Sequence, residues 1–466
     1  MNIKSKNIIV NFTKALINEK ISFFVALLLR TAIKERRHDG RDRRWYTSGE
    51  GKVTILALDS QRYRGDLDAF ASHKEYRVLH ISQGWQRLLI AQYFDKEVPV
   101  VDIINSTKGD HLYNLNLSAL SLLRSVLKHL YKIIKVDIVT TVNYHYLPDY
   151  SWTLASQELG VPWIMLYREC NLGAERFLYG IAHRHTQHRK FKGRHIIVHN
   201  KICKEVFTSS GYALKEQVSV CGALRMDSYL KRLNTYKESS NRRKKFTLFY
   251  FPHNMTLFGR IGEPPHEKFR YAYNIWEGRE NLFRDLHLSI IKLAHDNPDV
   301  DFVIKPKDIM VNTPAWEFYK TIVSESDIDI HRLSNYSVQP NADVHSLILS
   351  SDVICGLQSS TILESAIAGK RIIFPLFNNY MHTDNFNDFL YKDNVDLFDI
   401  AHDKNEFEQL FKDCIINNSV SSECMHQRNN LFNIFFDSHK GDSLLRYDRV
   451  IRTVIEQNNT KEKKLH

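Results

Sequence analysis

Short apolar runs, each closed by a polar turn and separated by helix-length segments, recur along most of this chain. Such runs are typical of buried parallel strands. In the first half they are VTILALDS (53–60), YRVLHIS (76–82), VPVVDII (98–104), VDIVTTV (136–142), VPWIMLYRE (161–169), RHIIVHN (194–200) and QVSVCGALRMD (217–227). Between them, residues 117–134 carry leucines at helical spacing and 148–160 end on a glycine, so both predict helices. The alternation predicts a parallel sheet with helices on both faces.

The alternation stops once and then resumes. Residues 229–246, YLKRLNTYKESSNRRKKF, are polar and charged and predict an interdomain linker. Later strands are predicted at 247–254, 301–308, 352–358 and 371–377, with helices at 280–298, 343–351 and 360–370 and a mostly helical remainder ending in a frayed tail.

The sequence therefore predicts an α/β protein with two Rossmann-like, doubly wound domains facing a cleft. We expect the domains to span 46–235 and 245–440. A basic and apolar N-terminal segment would precede them over 1–45, and a C-terminal helix and tail would follow over 441–466. In such sheets ligands bind beyond the carboxyl ends of the strands, so we expect the site residues at those ends.

The amino-acid composition favours some classes of binding partner and disfavours others. The 466 residues carry a net charge of +11, which favours an anionic partner. The basic residues are dispersed and form no nucleic-acid-binding motif, which disfavours a DNA or RNA partner. The six cysteines form no CxxC pair, which argues against a zinc ribbon or a disulfide scaffold and favours a reducing compartment.

The N-terminal segment has two interpretations. ISFFVALLL (21–29) is about half the ~18 residues that a spanning helix needs, and a dense basic stretch, KERRHDGRDRR (34–44), follows it. Together they fit a segment that lies on an anionic membrane surface. Equally, they fit a helix packed on its own domain and followed by a solvated loop. We expect a cytoplasmic protein, peripheral on the inner face of the membrane in the first interpretation.

Three adjacent hydroxyl residues, Ser359, Ser360 and Thr361, stand between a predicted strand and a predicted helix. Backbone N–H groups at a helix N-terminus attract phosphate, and small hydroxyl side chains add donors. Glu364, one turn further, is expected to accept bonds from ribose hydroxyls. The alternative is a capping box with Thr361 as N-cap and Glu364 three residues later. Capping accounts for one hydroxyl and the acid but not for all three hydroxyls.

The segment DVICGLQSSTILESAIAGKRIIFPLF (352–377) resembles the donor-binding segment of GT-B glycosyltransferases, in which a serine pair precedes a helix carrying an acid, then Gly-Lys and a strand. It is most similar to bacterial enzymes of capsule, lipopolysaccharide or teichoic-acid-like polymer synthesis, including sialyl-type, Kdo-type and glycerophosphate transferases. VCGALRMDSYL (220–230) resembles the superfamily's Gly-x-x-Arg-x-Asp segment. The resemblance implies phosphate contact by Arg225, with Gly222 and Asp227 as the other motif positions.

Further phosphate contacts are expected at two strand ends of the second domain. Lys305 and Lys307 lie in KPKD, where several GT-B families carry a His-Pro pair. A lysine there neutralises phosphate charge but does not act as an acid. His253 and Asn254 lie in FPHNMT (251–256), after the first strand of that domain. The alternatives are two solvated lysines beside a proline turn and a histidine that caps the turn.

Glu169 is our candidate catalytic base, since it ends a strand of the first domain beside Arg168. Asp59, Asp66 and Asp68 are the alternatives. A Glu beside an Arg is also a common salt bridge.

No metal site is expected. HRHTQHRKFKGRH (183–195) lacks an acid or cysteine to complete a ligand set, and Asp66-Leu67-Asp68 lies in the wrong domain for a metal–diphosphate site. The sequence thus predicts metal-independent transfer of a sugar from a nucleotide-activated donor, CMP- or UDP-linked and a substrate rather than a cofactor, to a glycan or lipid-linked glycan acceptor of the bacterial surface. The alternatives are a CDP-polyol phosphotransferase, a non-hydrolysing nucleotide-sugar epimerase and, from another class, a nucleic-acid-binding protein.

Overall fold

A computed structural model describes residues 19–44, 52–63, 65–90, 93–94, 100–143, 146–169, 190–237, 242–249, 279–306, 311, 314–357, 359–377, 386 and 389–465. Contacts between Cα atoms divide them into two units. Unit 1 takes the described residues up to 230 and those from 436 onward, and unit 2 takes 231–435.

The elements alternate between strands and helices. The strands are β1 Lys34–Arg36, β2 Asp42–Arg44, β3 Val53–Leu58, β4 Tyr76–Ile81, β5 Ile138–Thr141, β6 Trp163–Leu166, β7 His195–Val198, β8 Val218–Val220, β9 Lys244–Phe249, β10 Val300–Lys305, β11 Tyr336–Val338, β12 Val353–Cys355, β13 Arg371–Pro375 and β14 Asp399–Ala401. The helices are α1 Glu19–Ala32, α2 Asp66–Ala71, α3 Gln83–Ile90, α4 Val100–Asn105, α5 His111–Ile133, α6 Leu147–Glu158, α7 Lys201–Ser209, α8 Met226–Thr235, α9 Arg279–Asp296, α10 Pro314–Glu325, α11 Val344–Ser350, α12 Ser360–Ile367, α13 Lys404–Ile416, α14 Ser422–Phe436 and α15 Ser443–Leu465.

The sheet of unit 1 has the order β2-β1-β4-β3-β5-β6-β7-β8. Its six strands from β3 to β8 are parallel, while β1 and β2 form an antiparallel hairpin that extends the edge beside β4. Successive side chains of β3 enter two different cores: Leu56 and Leu58 join one, Ile55 and Ala57 the other. Because side chains alternate across a strand, both faces of the sheet are buried.

The sheet of unit 2 has the order β11-β10-β9-β12-β13-β14, and all of its neighbouring pairs are parallel. Numbered from β9, this is the 3-2-1-4-5-6 order of a Rossmann sheet. The order reverses between β9 and β12, and at such a switch point α/β proteins bind their ligands. The predicted fold class of two α/β units with parallel sheets is confirmed.

One predicted strand is wrong. Residues 98–104 were expected to form a strand, but their described part lies in α4, Val100–Asn105. A short apolar run fits a buried helix as well as a buried strand, and periodicity cannot separate the two at this length.

The N-terminal segment contributes to unit 1. Ala26 and Leu29 of α1 are buried in the core that also holds residues of α5, so this helix packs on its own unit. Its opposite face is open, since Phe24 is 64% and Leu28 61% exposed. The solvated loop expected over 34–44 is instead the β1–β2 hairpin.

Two further expectations are corrected. The boundary between the units falls within the stretch 229–246, after Leu230, but residues 229–235 of the expected linker lie in α8 and residues 244–246 in β9. Tyr229 and Leu230 are buried, which the polar composition of the stretch concealed. The tail expected to fray continues as helix to Leu465.

A buried carboxylate organises the amino-terminal edge of the unit 2 sheet. Asp352, whose side chain is fully buried, accepts hydrogen bonds of 2.6 and 3.1 Å from the Arg242 guanidinium. Lys244 Nζ, the backbone N–H of Lys245 and the Asn418 amide donate to the same carboxylate. Desolvation raises the pKa of Asp352, but these hydrogen bonds outweigh it and lower the pKa below its ordinary value. This edge is therefore held by a structural ion network. It lies at the end of β12 opposite to Ser359, Ser360 and Thr361, which we call the hydroxyl turn.

Candidate functional site

The three hydroxyl residues lie where β12 turns into α12, beside β9 and thus at the switch point of the unit 2 sheet. Because Gly356 has no side chain, the backbone there can lie close to Phe249 of β9 and to Ile362 of α12. A Cβ there would meet Ile362 Cδ1 at 3.1 Å and the Phe249 carbonyl oxygen at 3.5 Å. The carboxyl end of β12 thus passes directly between β9 and the helix, which places the N-terminus of α12 at the ligand-binding edge.

The hydroxyls have different roles. Ser359 is the N-cap, and its Oγ accepts the backbone N–H of Thr361 at 3.3 Å. The same Oγ lies 2.7 Å from Thr361 Oγ1. The Ser360 hydroxyl, half-buried, hydrogen-bonds to none of the described residues. The capping box with Thr361 as N-cap is therefore wrong, and one hydroxyl of the three has no structural task in this part of the chain.

Glu364 is held inside unit 2. Its side chain is 5% exposed, and Oε2 lies 3.2 Å from Nε2 of His345, which projects from α11 and is 18% exposed. The turn itself is fixed by the buried Tyr391, whose hydroxyl donates to the Ser359 carbonyl at 2.6 Å. Contact between Glu364 and a ribose stays a prediction. His345 and Tyr391 were missed because nothing in their local sequence places them beside the hydroxyl turn.

The other donor candidates differ in placement. Lys305 ends β10, and its Nζ donates to the carbonyls of Pro306 and Pro340, each at 2.8 Å. Lys307, His253 and Asn254 lie outside the described residues, as does the segment that follows them up to 278.

Gly369 and Lys370, the Gly-Lys pair of the GT-B-like segment, stabilise the local structure. Gly369 has φ +68° at the end of α12, a left-handed conformation that glycine adopts without strain. Lys370 is largely buried and donates to the Leu349 carbonyl at 2.9 Å. Burial lowers the pKa of Lys370 to about 8.

In unit 1, the candidate base Glu169 lies after β6 with its side chain 47% exposed, and Oε1 is 3.7 Å from Arg168 Nε. The ion-pair alternative is thus present in the structure, while the catalytic role stays a prediction. Of the alternatives, Asp59 is buried with a left-handed backbone and pairs with Arg62, and burial raises its pKa. Asp68 is half exposed and pairs with Arg36.

Two polar residues of unit 1 were missed. Asp149, on α6, is 1% exposed, and burial raises its pKa to about 7. His199 directly follows β7 and is also 1% exposed. Its position after a strand, in RHIIVHN, is the same signal that selected Glu169, so the sequence contained the means to find it.

The Gly-x-x-Arg-x-Asp segment anchors the C-terminal helix. Asp227 accepts the backbone N–H groups of Ser443 and Leu444, at 3.1 and 2.8 Å, and so caps α15. Gly222 has φ +76°, and a Cβ there would lie 2.8 Å from Ser443 Oγ. The backbone N–H of Arg225 donates to the buried carboxylate of Asp66 at 3.0 Å.

Within the described part of the chain, no three His, Cys, Asp or Glu side chains are grouped to hold a metal ion. Among the same residues, no helix has the length and apolarity to cross a membrane.

Solved structures similar to this chain include UDP-GlcNAc 2-epimerase from Neisseria meningitidis bound to UDP-GlcNAc, with TM-score 0.46 and 12% identity over 86% of this chain and 100% of that chain. They also include UDP-GlcNAc 2-epimerase from Methanocaldococcus jannaschii, with TM-score 0.47 and 10% identity over 86% and 99%. A third is the wall teichoic acid polymerase TagF, with TM-score 0.46 and 11% identity over 98% and 99%. A scan against protein-family models and a search of curated proteins each find no match.

Proposed function

We propose that this chain is a GT-B-type glycosyltransferase that binds the phosphate of a nucleotide-activated sugar at the N-terminus of α12. The observation that carries the proposal is the Ser360 hydroxyl. It lies on the first turn of a helix at the switch point of a Rossmann-ordered sheet and hydrogen-bonds to none of the described residues. Ser359 alone suffices as the cap, so Ser360 is the hydroxyl left for a ligand.

The proposed chemistry needs no metal ion. The bond between the anomeric carbon of the donor sugar and the phosphate oxygen breaks, the acceptor oxygen bonds to that carbon, and the nucleotide leaves with the electron pair on the phosphate oxygen. The N–H groups of the first turn of α12, its dipole and the Ser360 hydroxyl stabilise that charge. Glu169 accepts the proton of the attacking acceptor hydroxyl, a role for which its half-exposed carboxylate is accessible.

A thermal-shift panel of CMP, CDP, UDP, GDP and their sugars tests the proposal. We expect at least one nucleotide to raise the Tm, because a ligand that binds only the folded state stabilises it. Stabilisation by CMP alone indicates a sialic-acid or Kdo-type donor. If no nucleotide or nucleotide sugar changes the Tm, the proposed function is wrong.

Product analysis with the stabilising donor separates the alternatives. A glycosyltransferase releases the nucleotide only with an acceptor present, and the acceptor gains a sugar. A CDP-polyol phosphotransferase breaks a P–O–P bridge instead, so CMP is released and the acceptor gains a phosphodiester. An epimerase changes the donor sugar and releases no nucleotide at the end of its cycle.

We also propose that the chain acts at an anionic membrane surface, where a lipid-linked acceptor would lie. The open face of α1 presents Phe24 and Leu28, and the adjoining hairpin presents the exposed basic side chains of Arg37, Arg41 and Arg44. Apolar side chains beside cationic ones are the combination that binds such surfaces.

A further inference from the structure

Three basic side chains follow three neighbouring strands of unit 1. Arg168 comes two residues after β6, His199 directly after β7, and Arg225 five residues after β8. These strands are adjacent and parallel in the sheet. Their carboxyl ends therefore lie at one edge, where α/β sheets bind ligands. The aromatic ring of Phe436 adjoins two of the three: its centroid is 5.8 Å from the Arg225 guanidinium carbon and 6.4 Å from the His199 ring centroid.

The imidazole of His199 has an unusual environment for a buried polar group. Its side chain is buried, and neither Nδ1 nor Nε2 has a hydrogen-bond partner among the described residues. Buried polar atoms without partners are rare in native proteins, and each needs an explanation. Burial, together with the charges of Arg225 and Arg168, lowers the pKa of His199 well below its ordinary value. The imidazole is thus neutral and offers one N–H donor beside two permanent cations.

Acids lie beside both arginines, and Asp59 also interacts with the charge of Arg168. Glu169, half exposed, is 3.7 Å from Arg168, a separation longer than a hydrogen bond. Asp66 is engaged with the backbone N–H of Arg225. Two guanidinium groups and an imidazole N–H match the double charge and the three oxygens of a phosphate group.

We propose that Arg168, His199 and Arg225 form a phosphate-binding site in unit 1, and that the phosphate belongs to the acceptor. Only the second part of this proposal rests on the proposed transferase function. The buried imidazole then lacks a partner because the ligand is its partner.

The test follows the imidazole of His199 by NMR in the full-length protein. The chain has 22 histidines, and the resonance missing from His199→Phe identifies the one of interest. We expect inorganic phosphate to shift this resonance and glycerol at the same concentration to leave it in place. Dimethyl phosphate distinguishes the source of the group: a shift as large as that given by inorganic phosphate indicates a diester, as in a lipid-linked polymer, and a much smaller shift indicates a terminal phosphate.

Arg168→Gln and Arg225→Gln should each weaken phosphate binding about ten-fold or more, because each removes a hydrogen bond to a charged ligand. Arg124→Gln is the matched control, since this arginine is half exposed and pairs with Glu158 on the surface of the same unit. The proposal is overturned if phosphate does not move the His199 resonance, or if the three arginine variants titrate alike.

The same titration in Ser359→Ala/Ser360→Ala should give the wild-type phosphate affinity, because neither serine belongs to the proposed site. If phosphate shifts the His199 resonance but no nucleotide changes the Tm, the phosphate site is supported and the proposed transferase function is wrong. If a nucleotide raises the Tm but phosphate does not shift the His199 resonance, the transferase function is supported and the phosphate site is wrong.

Discussion

Substitutions of Ser359 and Ser360, the two serines of the hydroxyl turn, should have different effects on stability and on nucleotide binding, because the two hydroxyls make different contacts. Ser359→Ala removes the N-cap of α12, where the hydroxyl accepts the Thr361 N–H and adjoins the Thr361 hydroxyl. Loss of a serine cap costs about 1 kcal/mol of unfolding free energy. In a unit of this size that lowers the Tm by roughly 2–4 °C. Ser360→Ala removes no hydrogen bond to a described residue, so its cost should stay within about 0.5 kcal/mol.

Nucleotide binding should show the opposite order. A hydroxyl that donates to a phosphate oxygen makes a hydrogen bond to a charged group, worth about 1.5–3 kcal/mol. Ser360→Ala should therefore weaken the nucleotide about 10- to 150-fold. Ser359→Ala should weaken it less, because its hydroxyl already serves Thr361.

The assay is calorimetric titration with the most stabilising nucleotide, paired with urea unfolding of the same samples. Ser324→Ala is the matched control, as this exposed serine of α10 bonds only to the Thr321 carbonyl among the described residues. Wild-type nucleotide affinity in Ser360→Ala would refute the phosphate assignment. An unchanged unfolding free energy in Ser359→Ala would refute the capping assignment.

Other perturbations test the units and the surface. Asp352→Asn removes the charged acceptor of Arg242 and Lys244, whose side chains are 19% and 46% exposed, and should cost about 1.5–3 kcal/mol in urea unfolding, against at most ~1 kcal/mol for Asp301→Asn at a surface pair. Because the pKa of Asp352 is lowered, its contribution is present above pH ~4 and should be lost as the pH falls through the folded-state pKa. The pKa of Asp149 is raised to about 7, so Asp149→Asn should stabilise unit 1 by up to about 4 kcal/mol above pH ~7 and by less near pH ~5, measured by Tm. Phe24→Ser with Leu28→Ser should reduce co-sedimentation with vesicles rich in phosphatidylserine and leave the Tm within a few degrees; undiminished binding would refute the membrane proposal.

The sheets were predictable because a buried parallel strand has a distinctive composition. β3, β4, β5, β6 and β13 lie within the predicted runs, since each contains consecutive apolar residues that are buried. Residues 98–104 show where this signal fails: a six-residue helix with two buried isoleucines, Ile103 and Ile104, has the same apolar composition as a strand.

The site was predictable only where a polar residue directly follows a strand. That rule selected Glu169 and the hydroxyl turn, and it also applies to His199. It could not assign the N-cap, because three consecutive hydroxyls all satisfy the local preference and only the backbone at Ser359, with φ −146°, decides among them. Nor could it pair His345 with Glu364, since that contact depends on the packing of α11 against α12.

The Gly-x-x-Arg-x-Asp segment joins stability and binding in unit 1. Asp227 caps α15 and Gly222 lets the start of that helix approach, so the segment holds the C-terminal residues on the unit. Arg225, between them, donates its backbone N–H to Asp66, and its guanidinium carbon lies 5.8 Å from the ring centroid of Phe436, the last residue of α14. The same six residues, 222–227, therefore anchor α15 and also place a cation at the ends of the strands. A change at Asp227 should therefore disturb the phosphate site indirectly, whereas Arg225→Gln should disturb the site and leave α15 in place.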